Sequence, residues 1–552
     1  MSASSKKKLR KELNAAAMTE KQLQEQKEAK KLRLYTGLFG LAIAAMILVV
    51  IASRVISSGI IPRSTTALTV GGTEISAAEL NHYYVDSINN FMNSEYGQYA
   101  ALLGLDTTKP LDEQVYSEEE NKTWADYFMD DAANSARNMY AVYNAAKAEG
   151  KTLSAEGQAS IDSTVDSFEM YAPLYGFAST DAYIAAMYGE GCNEETFRHY
   201  AEVQMLASEY ATAYNESLTY DDAAIRAEDE ANPDNYSAFT YNYYYLANSS
   251  FYEGGTEDEE GNKTYSDAEK EAGRVAAEAA ANSLLTATTV EELDAAIAAL
   301  SINAEAATAP ASVRHEDYAY ASVLSVVRDW VAADERAEGD IVVIPNETTT
   351  HTHEDGEECT GENDTKVING YYVVRFEGEN KNETNLVNVR HILISYEGGT
   401  TDSTTGTTTY SDEEKAAARK AALEILDTFN AGEKTEEAFA ALATEKTTDP
   451  GSKENGGLYE NVYPGQMVEK FNDWCFDAAR KSGDTGMVET EYGCHVMYFV
   501  DTTDTTYRDF MIESTLRSND LTKWESDLIE GAELVVKNTK YVKTDMVLNS
   551  GN

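Results

Sequence analysis

The chain has 552 residues, long enough for several domains with cores of their own. Its formal net charge of −51 argues against nucleic acid or anionic lipid as a partner, because a surface this acidic repels polyanions. Four cysteines (Cys192, Cys359, Cys475, Cys494) are too few and too scattered for a disulfide framework or a CxxC redox site, although one bridge stays compatible with the sequence.

Residues 1–33 hold ten Lys/Arg against four Asp/Glu and read as a basic cytoplasmic tail. Leu34 to Ser53 then runs without a charge, long enough to cross a hydrocarbon layer of ~30 Å. The expectation is an uncleaved membrane anchor over 34–58, with the N-terminus inside and the bulk of the chain extracytoplasmic. After it, Thr66 to Ile75 reads as two short strands around Gly71-Gly72. Ser76-Ala-Ala-Glu79 has the form of a capping box and opens a helix through Leu80, Tyr83, Tyr84, Ile88 and Phe91. Amphipathic helices continue to Asn232-Pro233, giving a helical domain over 66–235.

From Tyr236 the pattern turns to strand, and the sequence begins to repeat. Tyr252-Glu-Gly-Gly-Thr256 returns as Tyr396-Glu-Gly-Gly-Thr400, and Tyr265-Ser-Asp-Ala-Glu-Lys270 as Tyr410-Ser-Asp-Glu-Glu-Lys415. Asp329-Trp330 with Gly339-Asp340 matches Asp473-Trp474 with Gly483-Asp484 at an offset of 144. Shared order over that distance argues for two copies of one α/β module, 236–380 and 386–502. A polar insertion in the first copy, with His351, His353 and Cys359, is low in complexity and reads as a loop, so no metal is expected. The segment 503–552 supplies a final amphipathic helix containing Trp524 and a short strand at Leu534.

Four motifs of the second copy stand in one order: Val389-Arg-His-Ile-Leu-Ile-Ser395, Thr448-Asp-Pro-Gly-Ser452 with Gly456-Gly457, Pro464-Gly-Gln-Met-Val468 with Phe471, and Val488-Glu-Thr-Glu-Tyr-Gly-Cys-His-Val496. Together they resemble the parvulin-type peptidyl-prolyl isomerases, and the wider layout resembles the exported PrsA/SurA-type foldases. The resemblance implies an α+β chain: a helical chaperone domain completed by the C-terminal helix, and two parvulin-like modules, the first degenerate. It implies catalysis of X–Pro cis–trans isomerisation without cofactor or metal. The clients would be unfolded or newly exported proline-containing polypeptides, and the membrane would be met through the N-terminal helix.

The same resemblance assigns the proline pocket to Leu458, Met467 and Phe471, the last two at i, i+4 spacing expected on one helix face. It places His391 and His495 on neighbouring strands in one hydrogen-bond network, with Thr490 beside them. Asp449 has two readings, a polar group at the twisting amide or the cap of its own Asp-Pro-Gly turn. Gly456-Gly-Leu-Tyr-Glu departs from the family's commoner Gly-Gly-Asp-Leu-Gly. The loop from Glu397 to Asp412 lacks Lys and Arg, which disfavours phosphate recognition.

In the first copy, the 144-residue offset sets Val323 and Val327 where the second has Met467 and Phe471. It sets Ala247 opposite His391, or Tyr244 if Leu246 is matched to Leu393; once the insertion is allowed for, Tyr372 stands near the place of His495. The first copy is therefore expected to keep the fold without the site. The alternatives to an active foldase are a non-catalytic holdase and a cell-surface scaffold.

Overall fold

A computed structural model describes residues 4–8, 46, 58–258, 261–304, 306, 308–350 and 365–548. The basic tail and the apolar run fall almost wholly outside the described residues, as do His351, His353 and Cys359. Among the described residues no helix is long and apolar enough to cross a membrane. Strands and helices are mixed along the chain, which divides into two compact units. One comprises residues up to Leu218 together with Ser518–Asn552, the other Thr219–Arg517.

In the first unit, β1 (Thr66–Val70) pairs antiparallel with β2 (Thr73–Ser76) and, along its other edge, with the C-terminal strand Leu534–Val536. Their apolar face packs on α1 (Ala77–Asn93), α2 (Trp124–Ala148) and α5 (Glu194–Ser217), with α3 (Ala155–Leu174) and α4 (Thr180–Tyr188) completing the helical set. Trp524, on the C-terminal helix Tyr507–Gly531, stacks on Tyr214 with ring centroids 4.2 Å apart. Ser76 caps α1 by accepting the Glu79 N–H, but Glu79 does not return the bond. Its carboxylate is turned inward onto the Tyr140 hydroxyl, and burial raises its pKa. The expected capping box is thus half of one, because the core claims the glutamate.

The second unit holds the repeat. The first module runs β3 (Ala238–Ala247), α6 (Asp267–Ser283), α7 (Val290–Ala298), β4 (Val313–Ala319), α8 (Ser325–Val331), β5 (Ile341–Thr350), β6 (Thr365–Asn380). The second runs β7 (Asn385–Ser395), α9 (Asp412–Ala431), α10 (Glu436–Lys446), β8 (Leu458–Val462), α11 (Glu469–Cys475), β9 (Thr485–Thr490), β10 (Gly493–Thr506). Both sheets are antiparallel and share one strand order, β4-β3-β6-β5 in the first and β8-β7-β10-β9 in the second. Ser266 and Ser411 open their modules' first helices with complete capping boxes onto Glu269 and Glu414. The guanidinium of Arg336 lies 4.2 Å over Trp330, and that of Arg480 lies 4.0 Å over Trp474.

Backbone bonds align the copies atom by atom. The Phe376 N–H donates to Asp340 and its carbonyl accepts from Gly339, as Phe499 does with Asp484 and Gly483. Counting back from these phenylalanines, Tyr372 occupies the place of His495. Tyr241 pairs with Phe376 as Val389 pairs with Phe499, so the counterpart of His391 is Tyr243. Neither Ala247 nor Tyr244 stands there: the connections differ in length between the copies, so an offset that holds for the helices fails on the strands. The first copy also has a histidine of its own, His315, where the second has Tyr459.

Candidate functional site

The central strands β7 and β10 of the second module run side by side, with His391 opposite Met497 and Leu393 opposite His495. Two residues apart across the pair, the histidine rings come to one face and lie nearly parallel, centroids 5.3 Å apart. Phe471, from α11, meets both edge-on, at 5.6 Å from His391 and 5.4 Å from His495. Met467 packs in the same apolar cluster but precedes α11, which begins at Glu469. The two residues therefore converge from a loop and a helix rather than along one helix face. Leu458 opens β8 opposite Arg390 and is not among the residues packed there; its neighbour Tyr459 is.

The turn after α10 is stitched onto β7. Thr447 Oγ1 accepts the Leu393 N–H at 3.0 Å, and the Thr448 N–H donates to the Leu393 carbonyl at 2.9 Å. Gly457 closes the turn from the other side, accepting the His391 N–H at 2.8 Å. Its φ is +75°, and a Cβ there would sit 2.2 Å from the His391 carbonyl oxygen, so glycine is required for this approach. Asp449 and Ser452 are thereby brought beneath His391.

One chain of hydrogen bonds results. The Tyr492 N–H donates to Thr490 Oγ1, which leaves the Thr490 hydroxyl proton for His495 Nε2 at 2.9 Å. His495 then carries its proton on Nδ1 and donates to His391 Nδ1 at 3.1 Å. His391 in turn donates through Nε2 to Asp449 Oδ2 at 3.0 Å, with Ser452 Oγ at 3.1 Å. This assignment gives each ring nitrogen one role. His391 is 3 % exposed and His495 5 %. Burial lowers the His391 pKa against the opposing pull of Asp449. Burial first, then His391, pushes His495 down to about 4. Both rings are therefore neutral at pH 7. Burial pushes the Asp449 carboxyl up, but the Ser452 hydroxyl and the His391 N–H outweigh it and hold it below the usual range.

Sequence reading thus finds five residues that come together: His391, His495, Thr490, Asp449 and Phe471, with Met467 alongside. It missed Ser452, which is fully buried in the network, and Tyr459, whose hydroxyl donates to Asp449 Oδ2 at 3.1 Å. The signal for Tyr459 was its departure from the family's commoner motif. A cleft of about 790 Å³ borders the network at Thr490 and is walled by Tyr396, Tyr410, Val468, Lys470 and Glu491 among others. The chemistry available is that of a hydrogen-bond array of two neutral imidazoles on one carboxylate, behind an apolar pocket. No nucleophile is exposed in it, and among the described residues no cluster could hold a metal ion.

Residues 371–503 match the family model of the PPIC-type PPIASE domain, which falls on the second module together with the last strand of the first. The chain is 32% identical over 138 residues to Foldase protein PrsA 3 of Bacillus cereus, covering 23% of this chain and 46% of that protein. It is 31% identical over 161 residues to Foldase protein PrsA 1 of Listeria innocua, covering 28% and 46%. The solved structure of PrsA from Bacillus subtilis is matched at 21% identity and a TM-score of 0.19, over 29% of this chain and 55% of that one. The chain spans about half the length of the curated relatives it matches.

Proposed function

We propose that the second module catalyses cis–trans isomerisation of X–Pro bonds, and that the chain is a membrane-anchored extracytoplasmic foldase. The observation that carries the reading is the His391–His495–Asp449–Thr490 network behind Phe471, inside a segment matching a PPIC-type domain. An amide resists rotation by ~18–20 kcal/mol, and X–Pro bonds exchange over tens to hundreds of seconds unaided. No bond breaks during rotation, so the catalyst needs only to favour the twisted amide over the planar one.

Phe471 and Met467 grip the proline ring and desolvate the amide beside it. Rotation without resonance leaves a more basic nitrogen and a more ketone-like carbonyl, and fixed polar groups at the pocket edge stabilise that polarity. The two histidines are buried and their pKa values lie below the usual one, so both are neutral at pH 7. They act as supports: they hold Thr490 in one orientation at the cleft and keep Asp449 charged. The anchoring half of the proposal rests on the uncharged run Leu34 to Ser53 and its basic flank. The client-holding role falls to the helical unit.

A proline-tetrapeptide isomerisation assay on the full chain tests the reading. Catalysis lost in Phe471→Ala is the expected result. A wild-type rate no faster than background would leave a holdase or a scaffold instead.

A further inference from the structure

The departure at Leu458-Tyr459 puts a phenol where it touches the network. Tyr459 reaches Asp449 Oδ2 with its hydroxyl at 3.1 Å and lays its ring 5.1 Å from that of His391. Ser452 donates to the same carboxylate oxygen. Oδ2 therefore receives three donors, from Tyr459, Ser452 and His391, whereas Oδ1 receives the Gly451 N–H at 3.3 Å. The asymmetry pins one oxygen of the carboxylate under His391 Nε2. Asp449 is consequently committed to His391, Ser452, Tyr459 and its own turn.

We propose that Tyr459, with Ser452, is a positioning residue of this site: by holding Asp449 Oδ2 against His391 Nε2 it selects the proton arrangement that ends at the Thr490 hydroxyl. The consequence follows bond by bond. With Oδ2 in place, His391 carries its proton on Nε2, His495 on Nδ1, and the Thr490 proton points inward. If the carboxylate swings off, His391 takes its proton on Nδ1. His495 must then carry its own on Nε2, and the Thr490 proton is driven outward towards the cleft. Tyr459 thus acts at a distance on the polarity presented at the cleft. This step rests on the isomerase reading only for its catalytic meaning; the proton arrangement itself does not.

The groups facing His391 are Asp449 and Ser452 from the turn, Tyr459 from β8, His495 from β10 and Phe471 from α11, with Asp449 carrying the charge. Removing the Tyr459 hydroxyl takes away one of the three bonds that hold Oδ2 against His391 Nε2. Full-length chain with ¹⁵N-labelled histidine, wild type and Tyr459→Phe, is to be followed by long-range ¹H–¹⁵N correlation of the imidazoles between pH 4 and 8. Loss of peaks in His391→Gln assigns them. The wild type should show single neutral tautomers, Nε2–H on His391 and Nδ1–H on His495. In Tyr459→Phe the tautomers should mix and the His391 midpoint should fall by about half a pH unit, with the thermal midpoint unchanged. The acid limb of kcat/KM should move down with it. Identical tautomers and midpoints in the variant would overturn the proposal. Should Tyr459→Phe not fold, Ser452→Ala is read for the same tautomer change and decides in its place. A wild type without isomerase activity defeats the proposed function, while the imidazole signals still decide the role of Tyr459.

Discussion

At His391 and His495 burial and the proposed isomerase site meet in one pair of side chains. Both have folded pKa values below the usual 6.5 of histidine, His495 at about 4. The unfolded chain therefore binds more protons than the folded one between those values. Stability contributed by the pair is complete above about pH 6.5 and is lost as the pH falls towards 4. For His495 alone the loss is about 3 kcal/mol. Urea unfolding of the full chain at pH 7.5 and pH 4.5 should show the second module weakened at the lower pH; equal midpoints would refute neutral, buried rings. His391→Ala leaves His495 Nδ1 and Asp449 Oδ2 each short of a partner, and should lower kcat/KM at least tenfold, or about 1.4 kcal/mol of transition-state stabilisation. The histidines and Thr490 were legible through the motifs that carry the resemblance, whereas the sequence left Asp449 between a site role and a turn cap. Tyr459 was not legible: nothing in a sequence says that the turn aspartate ten residues earlier folds back beneath it.

Between the two modules the elements are conserved more firmly than the offsets. Helix α8 superposes on α11 at 144 residues, carrying the Trp–Arg stack with it, whereas the first strands differ by 148 and the last by 123. Loop lengths absorb the difference, since extra surface residues cost little in closure entropy. That is why the repeat was visible in sequence while the partner of His391 was misplaced. In the first module Tyr243 and Tyr372 face each other at 5.9 Å where the histidines stack, and Val327 stands for Phe471. Phe471→Val should copy that pocket into the second module. Isomerisation should fall by more than tenfold with a stability loss of about 1–3 kcal/mol, measured by tetrapeptide assay and thermal melt. Survival of the rate would mean that the pocket lies elsewhere. At the turn, Gly457→Ala should be worse than its one methyl suggests, because positive φ and the His391 carbonyl oppose it together. Its melt should fall well below that of wild type.

Over the whole molecule the helical unit depends on the chain's last residues. Strand Leu534–Val536 pairs with β1, and Arg137 donates to the carbonyls of Ile529 and Ala532 at 2.7 and 2.9 Å. Deleting Ser518–Asn552 uncovers that edge and removes Trp524 from Tyr214. The truncated chain should become protease-sensitive within residues 66–217 yet keep its isomerase rate. A helical unit that still resists proteolysis would show that the C-terminal segment is dispensable. The joining of distant ends was foreseeable only through the resemblance, since neither segment is distinctive in itself.

The described cysteines give this architecture a clock. Cys192 lies in the helical unit, Cys475 and Cys494 in the other, and all three are unpaired and buried. Burial pushes Cys192 and Cys475 up to about 12 and raises Cys494 as well. A thiol reagent can reach them only when the surrounding structure opens. With Cys359 replaced by serine, labelling rates at Cys192 and at Cys475 would therefore time the breathing of each unit separately, in one native sample and without denaturant. Clients that grip one unit would slow one hand of that clock and leave the other running.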